Sequence, residues 1–158
     1  MGAVTMKVNV VAVGNLKDKF FKDACEEYAK RIGKYASFTC KELTEEDVSR
    51  PERVTLALEK EGEAILKAIK GKCYLMAVKG DLVSSEELAD IIKKDIDQGQ
   101  EITFVIGSSY GVCKRVEEAA AKRLSFGRIT LPHRLMRVVL LEQIYRAFTI
   151  IKGAEYHK

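Results

Sequence analysis

Tryptophan is absent from this 158-residue sequence, which has only two histidines and two prolines. His133 and His157 are the only nitrogen ligands that could join Cys25, Cys40, Cys73 and Cys113, and no two of these cysteines form a C-x-x-C pair. Neither a zinc site nor a disulfide framework is indicated, and the four thiols read as buried side chains in a reducing compartment. Charge interrupts every apolar run before it reaches bilayer length, so no membrane span or secretory signal is expected and the location reads as cytoplasmic. The first strand lacks a following G-x-G-x-x-G and there is no G-x-x-x-x-G-K-[ST], which removes the usual dinucleotide and nucleotide-hydrolysing turns. Ser109 is central in a G-x-S-x-G pattern, but no aspartate follows it, so the Ser, Asp, His order of a nucleophile elbow is not completed.

What is present describes an ordinary folded domain. The hydrophobic fraction is 47% and the charged fraction 32%, which fits a single domain over residues 6–158. Residues 1–5 read as a tag remnant or an alternative start ahead of Met6. The net charge of +4 is mild; it permits an RNA partner without requiring one. The sign is unevenly placed, because Arg123, Arg128, Arg134, Arg137, Arg146, Lys152 and Lys158 cluster late while Glu42 to Glu63 is crowded with carboxylates.

Short β-branched runs alternate with segments of helical period. Strands are expected at Lys7–Val13, Ala36–Leu43, Cys73–Val78, Ile102–Ile106 and Leu124–Leu131, with Gly80-Asp81 as a turn and Gly127 inside the fifth strand. Helices are expected over Asp18–Ile32, from Pro51 to Ile69, after the Ser84-x-x-Glu87 capping box, over Val112–Arg123 and over His133–Lys152. This order predicts an α/β fold, a mostly parallel sheet with helices on both faces. Ligands in such sheets lie at the carboxyl ends of the strands, where the Gly107 to Gly111 segment exposes bare main chain. The last helix is apolar on almost every side, which predicts a second subunit covering part of it. Glu142 and Arg146 have the spacing of an i,i+4 pair, a structural role by default.

Several of these segments together resemble one known family. They are Val11-Ala12-Val13-Gly14, Glu59-Lys60-Glu61-Gly62, Phe104-Val105-Ile106-Gly107, Leu124-Ser125-Phe126, Leu131-Pro132-His133, the Arg137 to Phe148 helix and Tyr156-His157-Lys158. The sequence resembles the RlmH-type ribosomal RNA methyltransferases of the SPOUT superfamily over essentially Met6 to Lys158. The resemblance implies a homodimer with a C-terminal trefoil knot, a rare departure from unknotted topology. It also implies methyl transfer from S-adenosylmethionine, without a metal, to N3 of a pseudouridine in 23S ribosomal RNA on assembled ribosomes. In the family the target is pseudouridine 1915.

By position, the resemblance implies a cofactor site at Met76, Gly107, Phe126, Gly127, Arg128, Ile129, Thr130 and Leu131. His157 is then the proton handler, Tyr156 orients the base, and Arg137 or Arg146 supplies positive potential. Arg134, Arg146, Lys152 and Lys158 are the implied RNA contacts. Two positions depart from the family pattern. Met76 stands where leucine is usual, a volume match. Ser108 stands where a second glycine is usual, and must either avoid positive φ or accept strain.

Overall fold

A computed structural model describes residues 6–158; the expectation for residues 1–5 lies outside these. The Val-rich segment Lys7–Val13 forms β1, buried on both faces after its first residue. The remaining elements are α1 (Lys19–Ile32), β2 (Ser37–Leu43), a short 3-10 turn (Pro51–Arg53), α2 (Val54–Ala68) and β3 (Lys72–Leu82). They continue with α3 (Ser85–Asp97), β4 (Ile102–Ile106), α4 (Lys114–Ala119), β5 (Lys122–Ser125) and α5 (His133–Lys152).

The five strands form one sheet in the order β2-β1-β4-β3-β5, and every pairing is parallel. Strand order and handedness together dictate where the helices lie. Right-handed crossovers from β1 to β2 and from β3 to β4 run in the same direction, so α1 and α3 share a face. The connections from β2 to β3 and from β4 to β5 run the other way, which sends α2 and α4 to the opposite face. The core divides accordingly. Val8, Val10 and Ala12 of β1 pack with Cys25, Ile32, Leu88 and Ile92, and with Leu140, Leu141, Ile144 and Phe148 of α5. Val11 and Val13 point the other way, against Ile65, Ala68 and Val116.

Three expected elements differ. Gly80-Asp81 is not a turn but part of β3, which leaves the ladder after Met76 and rejoins it at Asp81, so both residues oppose Leu124. A Cβ on Gly80 would sit 2.7 Å from the carbonyl carbon of Arg123, so this irregular stretch hugs the backbone of β5. The α4 helix ends at Ala119, because Ala121 N–H donates to Cys73 O at 2.8 Å and draws the chain into the sheet. Pairing with β3 overrides the helical preference of the alanine run. Consequently β5 begins at Lys122 and ends at Ser125, and Gly127 lies in the loop beyond it. The cysteines also divide: Cys25, Cys73 and Cys113 are buried, whereas Cys40 is exposed on the edge strand β2. No helix among the described residues is long and apolar enough to cross a membrane.

The start of α5 is fixed by one buried cation. Arg137 is 2% exposed; it is ion-paired to Glu42 at the end of β2 and donates to Gly14 O at 2.9 Å, just past β1. Glu42 also accepts the Leu16 N–H at 2.9 Å. Although partial burial opposes its ionisation, the Arg137 and Leu16 hydrogen bonds hold the Glu42 carboxyl below its ordinary value.

Removing the guanidinium with Arg137→Met leaves Gly14 O without its donor and Glu42 without its ion-pair partner, and is expected to cost about 3 kcal/mol in urea unfolding. Because the folded pKa of Glu42 is lowered, its contribution is present above the unfolded value and lost as pH falls through the folded value. The stability difference between the natural protein and Glu42→Gln should therefore be full at neutral pH, begin to shrink near the ordinary carboxyl value of about 4.3, and vanish only once the pH has fallen below the lowered folded value. A difference that does not change with pH would exclude the Glu42 charge as its cause.

Candidate functional site

The sheet register collects the implied cofactor residues on one rim. Tyr74 and Leu75 lie opposite Phe104 and Val105, and Met76 lies opposite Leu124. Met76, Ile106 and Leu124 therefore share one level on the adjacent strands β4, β3 and β5. Gly107 and Ser125 come one step beyond, at the carboxyl ends, where parallel α/β sheets hold their ligands. The loop 126–131 leaves from the same rim.

The turn after β4 is closed tightly. A Cβ on Gly107 would fall 2.6 Å from a Val112 methyl and 2.7 Å from Gly111 O. Gly111 N–H donates to Ser108 O at 2.9 Å, and the two residues form an isolated antiparallel bridge. No non-glycine residue among those described has positive φ. Ser108 thus takes the place of a glycine without left-handed strain.

Beneath this turn lies Glu61, a residue that sequence reasoning noticed only as part of a motif. It is 2% exposed; one carboxylate oxygen accepts the Glu46 N–H at 2.9 Å, and the other has no partner. Burial pushes its carboxyl up, the Glu46 N–H and the Ser108 hydroxyl oppose the shift, and Glu45 and Glu46 add to it. Its signal in the sequence is the period Ala57, Glu61, Ile65, Ala68, which puts a carboxylate on the buried face of α2.

The loop after β5 starts with a side-chain turn. Ser125 Oγ donates to Gly127 O at 2.9 Å and accepts from Gly127 N–H at 3.2 Å. Gly127 has φ of +145°, a conformation other residues rarely adopt, and this ends the strand. Phe126 and Leu131 are half-buried, Arg128 and Thr130 are exposed, and Ile129 is 79% exposed. The result is an apolar-edged strip of open main chain beside Met76 and Gly107. Two depressions elsewhere on the chain, along Asp90–Gln98 and between Glu46 and Lys60, are not lined by any of these residues.

The tail forms a separate hydrogen-bonded group with the second half of α5. Glu142 Oε1 accepts two bonds from Arg146, at 3.0 and 2.6 Å, and one from the Tyr156 hydroxyl at 3.1 Å. Arg146 also lies 4.7 Å from the Tyr156 ring centroid. Its Nη1 is 3.2 Å from Nδ1 of His157, whose Nε2 is 2.7 Å from Glu86 Oε1. Burial and Glu142 push the Tyr156 hydroxyl up to about 12, so it stays protonated and donates. The His157 bond holds Glu86 below the usual carboxylate range.

Among the implied catalytic residues, the structure brings His157 and Tyr156 together with Arg146, whereas Arg137 is committed to the junction at Gly14 and Glu42. Tyr156 bonds Glu142 rather than His157. Of the implied RNA contacts, Arg134 lies 3.7 Å from Asp18, Arg146 belongs to the tail group, and Lys152 and Lys158 are exposed.

Gly107→Ala should disrupt the turn, because the atoms it meets include main chain that cannot swing aside; a cost of about 1–3 kcal/mol is expected. Gly127→Ala meets nothing within 4 Å and should suffer only from its φ, by about 1–3 kcal/mol. Hydrogen exchange at 107–112 distinguishes them, since only the first variant should expose those amides. Unaltered exchange and melting temperature in Gly107→Ala would refute the close turn.

Comparison with known proteins identifies the family. The family model described as "Predicted SPOUT methyltransferase" matches residues 6–157. A curated relative from Caldicellulosiruptor saccharolyticus, named ribosomal RNA large subunit methyltransferase H, is 42% identical over 96% of this chain and 99% of its own length. A relative of the same name from Limosilactobacillus reuteri is 48% identical over 97% of this chain and 100% of its own. A solved structure of a probable methyltransferase from Bordetella pertussis Tohama I shares the fold, with a TM-score of 0.55 at 12% identity over 90% of this chain and 94% of that one. With a sheet whose rim carries the turn and loop described above, and with a match from one end of the described residues almost to the other, the chain belongs to the SPOUT methyltransferase family.

Proposed function

We propose that this chain methylates N3 of a pseudouridine in the 23S RNA of assembled ribosomes, with S-adenosylmethionine as donor. One observation carries the reading: the match to curated relatives named for large-subunit RNA methylation extends over nearly the full length of both chains. It therefore takes in the turn, the loop and the tail rather than the fold alone. Their target class is carried over to this chain on that basis.

The residues present fit the donor. A turn that cannot accommodate a Cβ at Gly107 leaves main-chain groups free to contact an adenine. Met76, Phe126, Ile129 and Leu131 offer apolar walls, and Gly127, Arg128 and Thr130 complete the strip. S-adenosylmethionine, when bound, supplies an activated methyl group. The chain's own part is to align the RNA base and to manage one proton, because N3 of a uracil-like ring gives up its hydrogen when it is alkylated. His157 takes that proton, and Tyr156, bound to Glu142, fixes the shape of the tail around it. Among cations, Arg146 is the one placed beside His157, while Arg137 acts by holding α5 in position. Arg134, Lys152 and Lys158 contact phosphates, which position an RNA without reading its sequence.

The proposal includes a homodimer with a C-terminal knot. Support for the second subunit comes from α5, whose Leu140, Leu141, Ile144 and Phe148 are buried in the chain while Leu135 is exposed and Val139 only half-buried. A partner helix covering that outer stripe would bury it.

Incubation of ribosomes with the protein and labelled S-adenosylmethionine should place one methyl group on N3 of a 23S pseudouridine, read by mass spectrometry of the RNA. His157→Ala should lower turnover by about a hundredfold while calorimetric affinity for the donor remains nearly unchanged. Deleting Ala154 to Lys158 should impair methylation more than dimerisation. Equal loss of turnover and donor affinity in His157→Ala would show that the tail supports folding of the recess rather than chemistry.

A further inference from the structure

His157 is held at both ring nitrogens, and the chemistry of its partners fixes where its proton sits. Arg146 faces Nδ1 at 3.2 Å, and a guanidinium has only donors. Nδ1 must therefore present its lone pair. The ring proton then belongs to Nε2, which donates to Glu86 Oε1 at 2.7 Å.

The geometry points to Glu86 as the positioning residue that holds His157 in its Nε2–H tautomer and leaves Nδ1 as the proton-accepting nitrogen. This deepens the proposed function and rests on the reading of His157 as the proton acceptor. A carboxylate on one nitrogen that fixes the tautomer and orientation of the ring is the arrangement by which acid–histidine pairs make a base of the other nitrogen.

Glu86 can do this because its own place is fixed. It lies in the first turn of α3, which is closed by the reciprocal Ser84–Glu87 capping box, with both bonds at 3.0 Å. The same turn is tied to α5 by Ser85 Oγ donating to Gln143 Oε1 at 2.6 Å. It also follows the carboxyl end of β3 by four residues, and Val83 N–H donates to Ser125 O at 3.0 Å. Glu86 thus draws the tail toward the rim that carries the loop 126–131. The groups around the imidazole are Glu86 from α3, Arg146 and Glu142 from α5, and Tyr156 from the tail. Arg146 caps Nδ1 while remaining bonded to Glu142, so an incoming N3–H group needs to displace one contact and not the whole cluster.

Glu86 is 62% exposed on its side chain, so its substitution should leave the fold intact. The test uses the full chain, labelled with 15N at its two imidazoles, with His133→Gln identifying the His157 signals. The natural protein should show the Nε2–H tautomer, Glu86→Ala a mixture of tautomers, and Glu86→Gln, which keeps an accepting oxygen, the original state. On ribosomes, Glu86→Ala should lower kcat about threefold to fivefold, the range expected of an exposed pair. Donor affinity and melting temperature should be unchanged, and Glu86→Gln should restore most of kcat. An unaltered tautomer in Glu86→Ala, an unaltered kcat, or equal loss of kcat and donor affinity would overturn the assignment. Absence of turnover in the natural protein would defeat the methyltransferase reading by itself, and the spectra would still decide the role of Glu86.

Discussion

A nearly unexposed guanidinium, that of Arg137, determines how the last helix meets the sheet. Uncompensated, a charge in this position would cost several kcal/mol. Here it is compensated from two directions, by the carboxylate of Glu42 at the end of β2 and by the Gly14 carbonyl just past β1. Because both partners lie at carboxyl ends of strands, the pairing fixes one end of α5 at the ligand-bearing edge of the sheet. The remaining length of α5 is held by apolar packing between α1 and α3, with Phe148 stacked on Tyr35. The position of the tail follows from that of the helix, and the position of His157 follows from that of the tail.

The rim and the tail use different physics. On the β4 side, the structure excludes side chains, and Gly107 closes against Val112 and Gly111. On the tail side, it crowds polar groups together, and Glu142 accepts from Arg146 and Tyr156 at once. Bare main chain suits recognition of a flat heteroaromatic ring by its edges. A dense donor–acceptor group suits control of a single proton.

Elements whose cause is local were legible in the sequence. The strands β1 and β4 stand out as short apolar runs, α1 and α3 as periodic segments, the latter with a visible cap at Ser84, and α5 as a long segment apolar on almost every side. The boundary between α4 and β5 was not legible, because Ala119 to Ala121 favours a helix and the bond from Ala121 to Cys73 spans distant parts of the chain. The same holds for side chains. Glu142 and Arg146 announce their pairing by spacing, but Arg137 is separated by 95 residues from Glu42, and His157 by 71 from Glu86. Gly107 and the loop 126–131 could be assigned by resemblance, whereas their common level follows only from the register of β4, β3 and β5.

The sequence left Arg137 and Arg146 as alternatives for one role, and helix geometry separates them. Nine residues at about 100° each turn the helix two and a half times, so the two side chains leave α5 on opposite sides, about 13 Å apart along its axis. Arg137 therefore faces the sheet and Arg146 the tail. Arg146 is in turn outnumbered by two carboxylates, Glu142 in direct contact and Glu86 across the imidazole. A single guanidinium between two acids cannot make this corner a positive patch. Under the proposed function, the charge offered to a polyanion is thus that of Arg134, Lys152 and Lys158 rather than that of Arg146. RNA phosphates would then be held at the margin, while the base enters a site whose own charges are already matched.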